Sequence, residues 1–193
     1  MNVSLISAQM EDLLPMTNRT QGVVHLSEII HDLSVRLGYY EPGDADITRF
    51  QFGSALEHAI KDRYRLQYPG RYVELGELEH DGVFCTPDLF DTETGSIHEV
   101  KLTWMSSRHE PDSDKFAKYW WQVLGYNKVV GADLAPKLHV GHINGDYKGY
   151  KPQYNVWERG LSKREVEKNW TMLMRHRDLM LKEGWLENRR SNG

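Results

Sequence analysis

"CTPDLFDTETGSIHEVKLTW", residues 85–104, places a proline-aspartate pair, a polar turn, and a glutamate and lysine two positions apart in one short span. "GVFCTPDLFD" and "SIHEVKLTW" are short and rich in β-branched and aromatic residues, and "DTETGS" separates them. With the preceding "RYVELGELEH" and the Asp81-Gly82 turn they predict a β-meander. Pro87 has no N–H to give a ladder, so it predicts an edge position or a bulge. Side chains two apart on a strand share a face. Glu99 and Lys101 therefore project together while Val100 turns into the core. Pairing the two segments brings Asp88 beside Glu99. Two hard carboxylates, helped by a backbone carbonyl such as that of Val100 and by water, form an oxygen site suited to Mg²⁺ or Mn²⁺. Lys101 can orient or deprotonate a water there, or stabilise charge on a phosphate under attack. Alone, an E-x-K triplet arises about once by chance in a chain of this length, and it then reads as a salt bridge across an exposed strand face.

Working outward, "HLSEIIHDLSVRLGYYEPG" carries Ile29, Ile30, Leu33 and Leu37 at helical spacing, with Ser27 as its expected cap and Pro42-Gly43 as its stop. A second, longer helix is predicted from Asp46 to Tyr68 on Phe52, Leu56, Ala59, Ile60 and Tyr64, ended by Pro69-Gly70. Beyond the central stretch, "SSRHEPDSD" is a polar loop whose Asp112 or Ser113 caps the helix "KFAKYWWQVLGYNKVVG". "KLHVGHI" and "YNVWE" read as two strands around Asn144-Gly145. Ser162 and Glu165 form a capping box for a last helix whose apolar face is Val166, Trp170, Leu173, Met174 and Leu181. The order α, α, β, β, β, α, β, β, α predicts an α/β fold with a mixed sheet flanked by helices.

The chain has 193 residues, 39% of them hydrophobic. One domain over 1–193 is expected, with residues 1–20 as a loosely patterned arm. A formal net charge of -4 argues against coating nucleic acid by bulk positive charge, so any such contact is local. Cys85 is the single cysteine, which excludes an intrachain disulfide and a cysteine-held iron-sulfur cluster within one chain. The opening residues lack a charged leader with an apolar core, and no run approaches the roughly 20 apolar residues of a membrane span. A soluble intracellular protein without membrane contact is the expectation, and the sequons at Asn2 and Asn18 carry no weight in it.

"TPDLFD" followed by "HEVK" resembles the catalytic signature of the PD-(D/E)XK nuclease superfamily. "QVLGY" supplies Gln122 and Tyr126, similar to the Q-x-x-x-Y element of its RecB-like branch, which includes the lambda-type phage exonucleases. "FGSALEHAI" resembles that branch's upstream helix, with Glu57 at the position where many relatives carry histidine. The resemblance spans residues 53 to 126 and implies a restriction-endonuclease-like core. It implies that Asp88, Glu99, the Val100 carbonyl and Glu57 hold Mg²⁺ or Mn²⁺, one ion or two, with Lys101 next to the attacking water. Gln122 and Tyr126, four apart on one helix face, would contact the DNA backbone or brace these residues. Lys115, Lys118 and Tyr119, with Ser106, Ser107 and Arg108 of the preceding loop, would line a path for nucleic acid.

The implied activity is a metal-dependent deoxyribonuclease, an exonuclease of phage-type recombination, replication or repair in a bacterial or phage-infected cytoplasm. It would leave a 5′ phosphate and a 3′ hydroxyl. A sequence- or structure-specific endonuclease and a non-catalytic DNA-binding module stand beside it. DNA is the implied partner, with a recombination or helicase protein and further copies of the chain as others. The lone cysteine leaves no iron-sulfur cluster, and no P-loop or other nucleotide cofactor site is present.

Other constellations are weaker. His139 and His142, three apart, fall on opposite faces of a strand and make a poor zinc pair. Asp91 reads as a turn residue and His58 as a surface or packing residue. Trp120 and Trp121 read as core, because one face of their helix must cover the sheet. Arg164, Lys168, Arg175 and Arg177 on the last helix read as a solvated face.

Overall fold

The computed structural model describes residues 23–39, 47–132, 135–149 and 151–185, the first four residues of the second helix by backbone alone. The expected arm over 1–20 and the Pro42-Gly43 stop lie outside the described residues. In chain order the elements are β1 (Val24–His25), α1 (Leu26–Arg36), α2 (Ile47–Gln67), β2 (Tyr72–Val73), β3 (Leu78–His80), β4 (Val83–Cys85), β5 (Leu89–Asp91), β6 (Ser96–Thr103), a 3₁₀ turn (Asp114–Phe116), α3 (Ala117–Val130), β7 (Lys137–His142), β8 (Gln153–Glu158) and α4 (Lys163–Lys182). The main sheet runs β2-β5-β6-β7-β8, and a small one runs β1-β4-β3. β6 and β7 are parallel, with α3 in the connection between them; the other neighbours in the main sheet are antiparallel.

The single meander expected from the sequence is divided between these two sheets. "RYVELGELEH" forms β2 in one and β3 in the other, and "GVFCTPDLFD" forms β4 and β5. Pro87 stands in the gap, where it can give no ladder hydrogen bond. β3 and β4 are joined across Asp81 and Gly82, both at positive φ (52° and 75°), as a tight hairpin turn requires. At the next turn Asp91 accepts from the backbone N–H groups of Glu93 and Thr94 and is clamped by Arg71, whose Nη2 lies 2.8 Å from Oδ2. Burial would raise this carboxyl, but Arg71 and the two N–H groups outweigh it and hold Asp91 at about 2.

Helices cover both faces of the main sheet. On one, Tyr72, Leu89 and Val100 pack against Ile60 and Tyr64 of α2. On the other, Ile97 joins Leu26, Ile29, Ile30 and Leu33 of α1, Tyr126 of α3, and Trp170, Leu173 and Met180 of α4. β6 is consequently buried on both sides over most of its length, as a central strand beside a parallel neighbour is. The apolar faces differ in detail from the sequence reading. Phe52 and Ala59 of α2 are exposed because its inward stripe runs through Glu57, Ile60, Lys61 and Tyr64. Leu37 and Leu181 are also exposed, while Met180 faces the core.

The caps shift as well. His25, not Ser27, is the cap of α1, and Glu28 accepts from its N–H at 2.9 Å. Phe116 precedes α3, while Ser113 precedes the 3₁₀ turn. The Ser162–Glu165 box forms as expected. Trp120 is buried and Trp121 half-buried. Among the described residues no helix is long and apolar enough to cross a membrane.

Candidate active site

The site follows from where β5 stops. β5 covers β6 only as far as the Leu89–His98 pair, whereas β7 covers the opposite edge through Thr103. Past His98 the β5-side edge of β6 has no strand to satisfy its backbone groups, and side chains take that place. Asp88 Oδ2 accepts from the Val100 N–H at 2.9 Å, and Glu57 Oε1 accepts from the Leu102 N–H at 3.0 Å. Asp88 reaches this position from the segment that Pro87 interrupts, and Glu57 from α2. Val100 is fully buried toward α2, leaving only its backbone for the site.

Glu99 and Lys101 project on the other face of β6, toward α3. Lys101 Nζ lies 2.6 Å from Glu99 Oε1 as an ion pair. The ammonium thus sits on Oε1, while Oε2 of Glu99, a residue only 1% exposed, has no hydrogen-bond donor. Burial, then the charge of Asp88, push the Glu99 carboxyl up to about 8 against the pull of Lys101. Burial also raises Glu57, with Lys101 opposing it and Asp88 adding to it. For Lys101, burial favours the neutral amine, but Glu99, Glu57 and Asp88 together win and hold the ammonium well above its usual range.

Asp88, Glu99, Lys101 and Glu57 are thus brought together. Tyr126 is buried with them: its hydroxyl accepts from Gln122 Nε2 at 2.5 Å, and burial and the Glu99 charge keep it a neutral phenol. Lys118 also approaches, since burial and then the nearby Lys101 charge pull its ammonium below the usual range. Its Nζ lies 5.3 Å over the Tyr119 ring.

The remaining candidates are engaged elsewhere. Lys115 Nζ meets His109 Nε2 at 3.0 Å. Ser106 is buried, and its Oγ accepts from the Arg108 N–H. The Ser107 N–H donates to the Gly145 carbonyl, and Arg108 Nη2 donates to the Asp146 carbonyl at 2.9 Å. His58 Nδ1 lies 2.8 Å from the Ser54 carbonyl of its own helix.

Two features escaped the sequence reading. Lys61, four residues after Glu57, places Nζ 3.2 Å from Asp88 Oδ1; its spacing from Glu57 was the available signal. On the α2 face of β6, His98 Nδ1 and His139 Nε2 are 2.9 Å apart, and His139 Nδ1 meets the hydroxyls of Tyr154 and Tyr64 at 3.0 and 3.3 Å. Burial pulls these imidazoles down to about 4 and about 3. No local pattern announces this pair, which the parallel register of β6 and β7 creates. His142 lies on the other face of β7, with Nδ1 3.0 Å from the Met105 carbonyl.

Among the described residues no three His, Cys, Asp or Glu side chains form a ready-made metal cage. Asp88 is turned to Val100 and Lys61, and Glu57 to Leu102. The donor set nonetheless fits a hard divalent cation. All three groups are carboxylates, and Glu99 presents a buried oxygen, Oε2, that no donor satisfies.

No family model matches the chain, and no curated protein matches it in sequence. The alkaline exonuclease of Laribacter hongkongensis superposes with a TM-score of 0.50 at 16% identity, over 89% of this chain and 94% of that one. The chain shares the fold of that exonuclease. The same exonuclease in complex with dAMP gives the same values. A phage-related exonuclease from Haemophilus somnus 129PT is also similar, with a TM-score of 0.48 at 13% identity over 82% of each chain. At these identities the likeness concerns the fold, with its mixed sheet between helices.

Proposed function

We propose that the chain is a metal-dependent deoxyribonuclease that acts at DNA ends, in phage-type recombination, replication or repair. The observation that carries this reading is the gathering of Glu57, Asp88, Glu99 and Lys101 at the stretch of β6 edge that β5 leaves uncovered. An exonuclease shares the fold and was also solved with dAMP, a nucleoside monophosphate of the kind that end-directed cleavage releases.

Glu57, Asp88, Glu99 and the Val100 carbonyl would hold Mg²⁺ or Mn²⁺. Such an ion, when bound, polarises a phosphoryl oxygen and lowers the pKa of a bound water. The ammonium of Lys101, kept charged by the three carboxylates, orients the water and offsets charge that develops on the phosphate. Glu57 and Asp88 stand on consecutive outward N–H groups of one strand, so their spacing is set by rigid backbone. Tyr126 and Gln122 wall the site on the α3 side, and Lys118 supplies a cation for the nucleic-acid backbone. Hydrolysis joins the water oxygen to phosphorus and breaks the bond to the 3′ oxygen. The 3′ oxygen takes the proton, leaving a 5′ phosphate.

The test is a time course with Mn²⁺ on end-labelled linear DNA beside a covalently closed circle, with Glu99→Ala as control. Loss of the linear substrate alone, abolished in the variant, is the expected result. Nicking of the circle would overturn end dependence. Cleavage undiminished in Glu99→Ala, or none by folded wild type, would overturn the assignment of this site.

A further inference from the structure

We infer that Lys61 is a built-in counter-ion that leaves Asp88 when the site takes up its metal and then holds a phosphate of the DNA. The inference rests on the nuclease reading above and assigns a residue which that reading does not use. Lys61 and Glu57 are one helical turn apart on α2 and reach the same site. The Lys61 and Asp88 side chains are 13% and 14% exposed, so their contact at 3.2 Å is largely shielded from water and salt.

The oxygens of Asp88 decide the matter. Oδ2 is committed to the Val100 N–H, which is part of the backbone and cannot withdraw. Oδ1 is the oxygen left to bind a cation, and it carries the Lys61 ammonium. Glu99 differs, because Lys101 occupies only Oε1, and Oε2, which accepts no hydrogen bond, can bind a cation with Lys101 still in place. A cation shared by Asp88 and Glu99 therefore displaces Lys61 first.

Charge balance then gives the freed lysine its task. A bound divalent cation requires its carboxylate ligands ionised, and three carboxylates, two ammonium groups and that cation together leave an excess of one positive charge. A phosphodiester brings the single negative charge that offsets it. Lys61 sits on a flexible four-carbon stem and can turn from Asp88 to that phosphate without movement of α2.

This makes Lys61 a positioning residue with opposite effects on two affinities, which a merely structural salt bridge would not have. The test is calorimetric titration of the full chain with Mn²⁺ in the absence of DNA. It is paired with binding of a short 5′-phosphorylated oligonucleotide in Ca²⁺, and wild type is compared with Lys61→Met. Removing a competing charge at this distance is expected to tighten Mn²⁺ binding on the order of tenfold. Loss of a charged phosphate contact is expected to weaken the oligonucleotide on the order of tenfold, and Lys61→Arg should restore it. Circular dichroism confirms that the protein scored is folded, and Lys61→Gln replaces the methionine variant if that one is not. Mn²⁺ binding that is unchanged or weaker in the neutral variant, or oligonucleotide binding that is unchanged, would overturn the role of Lys61 while leaving the nuclease reading intact. Absence of Mn²⁺ binding by wild type would overturn the metal site itself, and this inference with it.

Discussion

Gly125 lies in α3 immediately before Tyr126, where that helix meets the start of α1. A Cβ at this position would stand 2.7 Å from Leu26 Cδ2 and 3.3 Å from Cδ1, and the third-nearest atom is Leu26 Cγ. Leu26 is fully buried, so it has little room to turn aside. Gly125→Ala should gain about 1 kcal/mol from helix propensity and lose about 1–3 kcal/mol to overpacking. A net destabilisation of about 1 kcal/mol is expected. Leu26→Ala alone should cost about 2–5 kcal/mol through the cavity it leaves. It also removes all three of the nearest atoms, so Gly125→Ala in that background should stabilise by about 1 kcal/mol. Equilibrium urea unfolding of the four proteins, followed by tryptophan fluorescence, measures the cycle, and the coupling should be about 2 kcal/mol. If Gly125→Ala stabilised the wild type, or if the coupling fell below about 0.5 kcal/mol, close packing of α1 on α3 would not be the reason for a glycine here.

Other outcomes follow from the same geometry. His139 is held neutral down to about pH 3 by burial, whereas the unfolded chain protonates it near 6.5, so it removes stability as pH falls below 6.5. Relative to wild type, His139→Gln should gain about 1.4 kcal/mol per pH unit between 6 and 4, measured as the difference between denaturation curves; parallel profiles would refute this. Lys101→Met should slow single-turnover cleavage about 10²–10³-fold while leaving oligonucleotide binding in Ca²⁺ within about threefold, and a rate equal to wild type would remove Lys101 from the mechanism. Tyr126→Phe takes away the acceptor of Gln122 Nε2 and should cost about 1 kcal/mol in denaturant unfolding; no loss of stability would show that this hydrogen bond adds nothing.

Part of the candidate site was legible because some of its members pair within a few residues of one another. Glu99 and Lys101 share a strand face by the two-residue period, Glu57 and Lys61 share a helix face by the four-residue period, and Asp88 lies one turn before its partner strand. The same periodicities located α1, α2, α3 and α4, and the Ser162–Glu165 box is local enough to be read directly. Lys61 was overlooked because a lysine on a long helix looks solvated until the helix is docked. The division of the meander was missed for a related reason. Pro87 showed that pairing stops, but whether β4 and β5 then join one sheet or two depends on partners far away in sequence, β1 and β3 for one and β2 and β6 for the other.

By itself, then, the sequence determined which residue types lie at which period on which element, because side-chain direction along a strand or helix is a local property of the backbone. Only the tertiary structure decided that β5 stops at His98 and exposes two N–H groups of β6, that two carboxylates from different elements fill those positions, and that Glu99 is buried with Oε2 lacking a donor. It also joined His98 to His139 across the parallel register. Such properties depend on what each group finds as a neighbour once water is excluded, and those neighbours come from segments 12 to 45 residues apart for the carboxylates and 41 residues apart for the histidines.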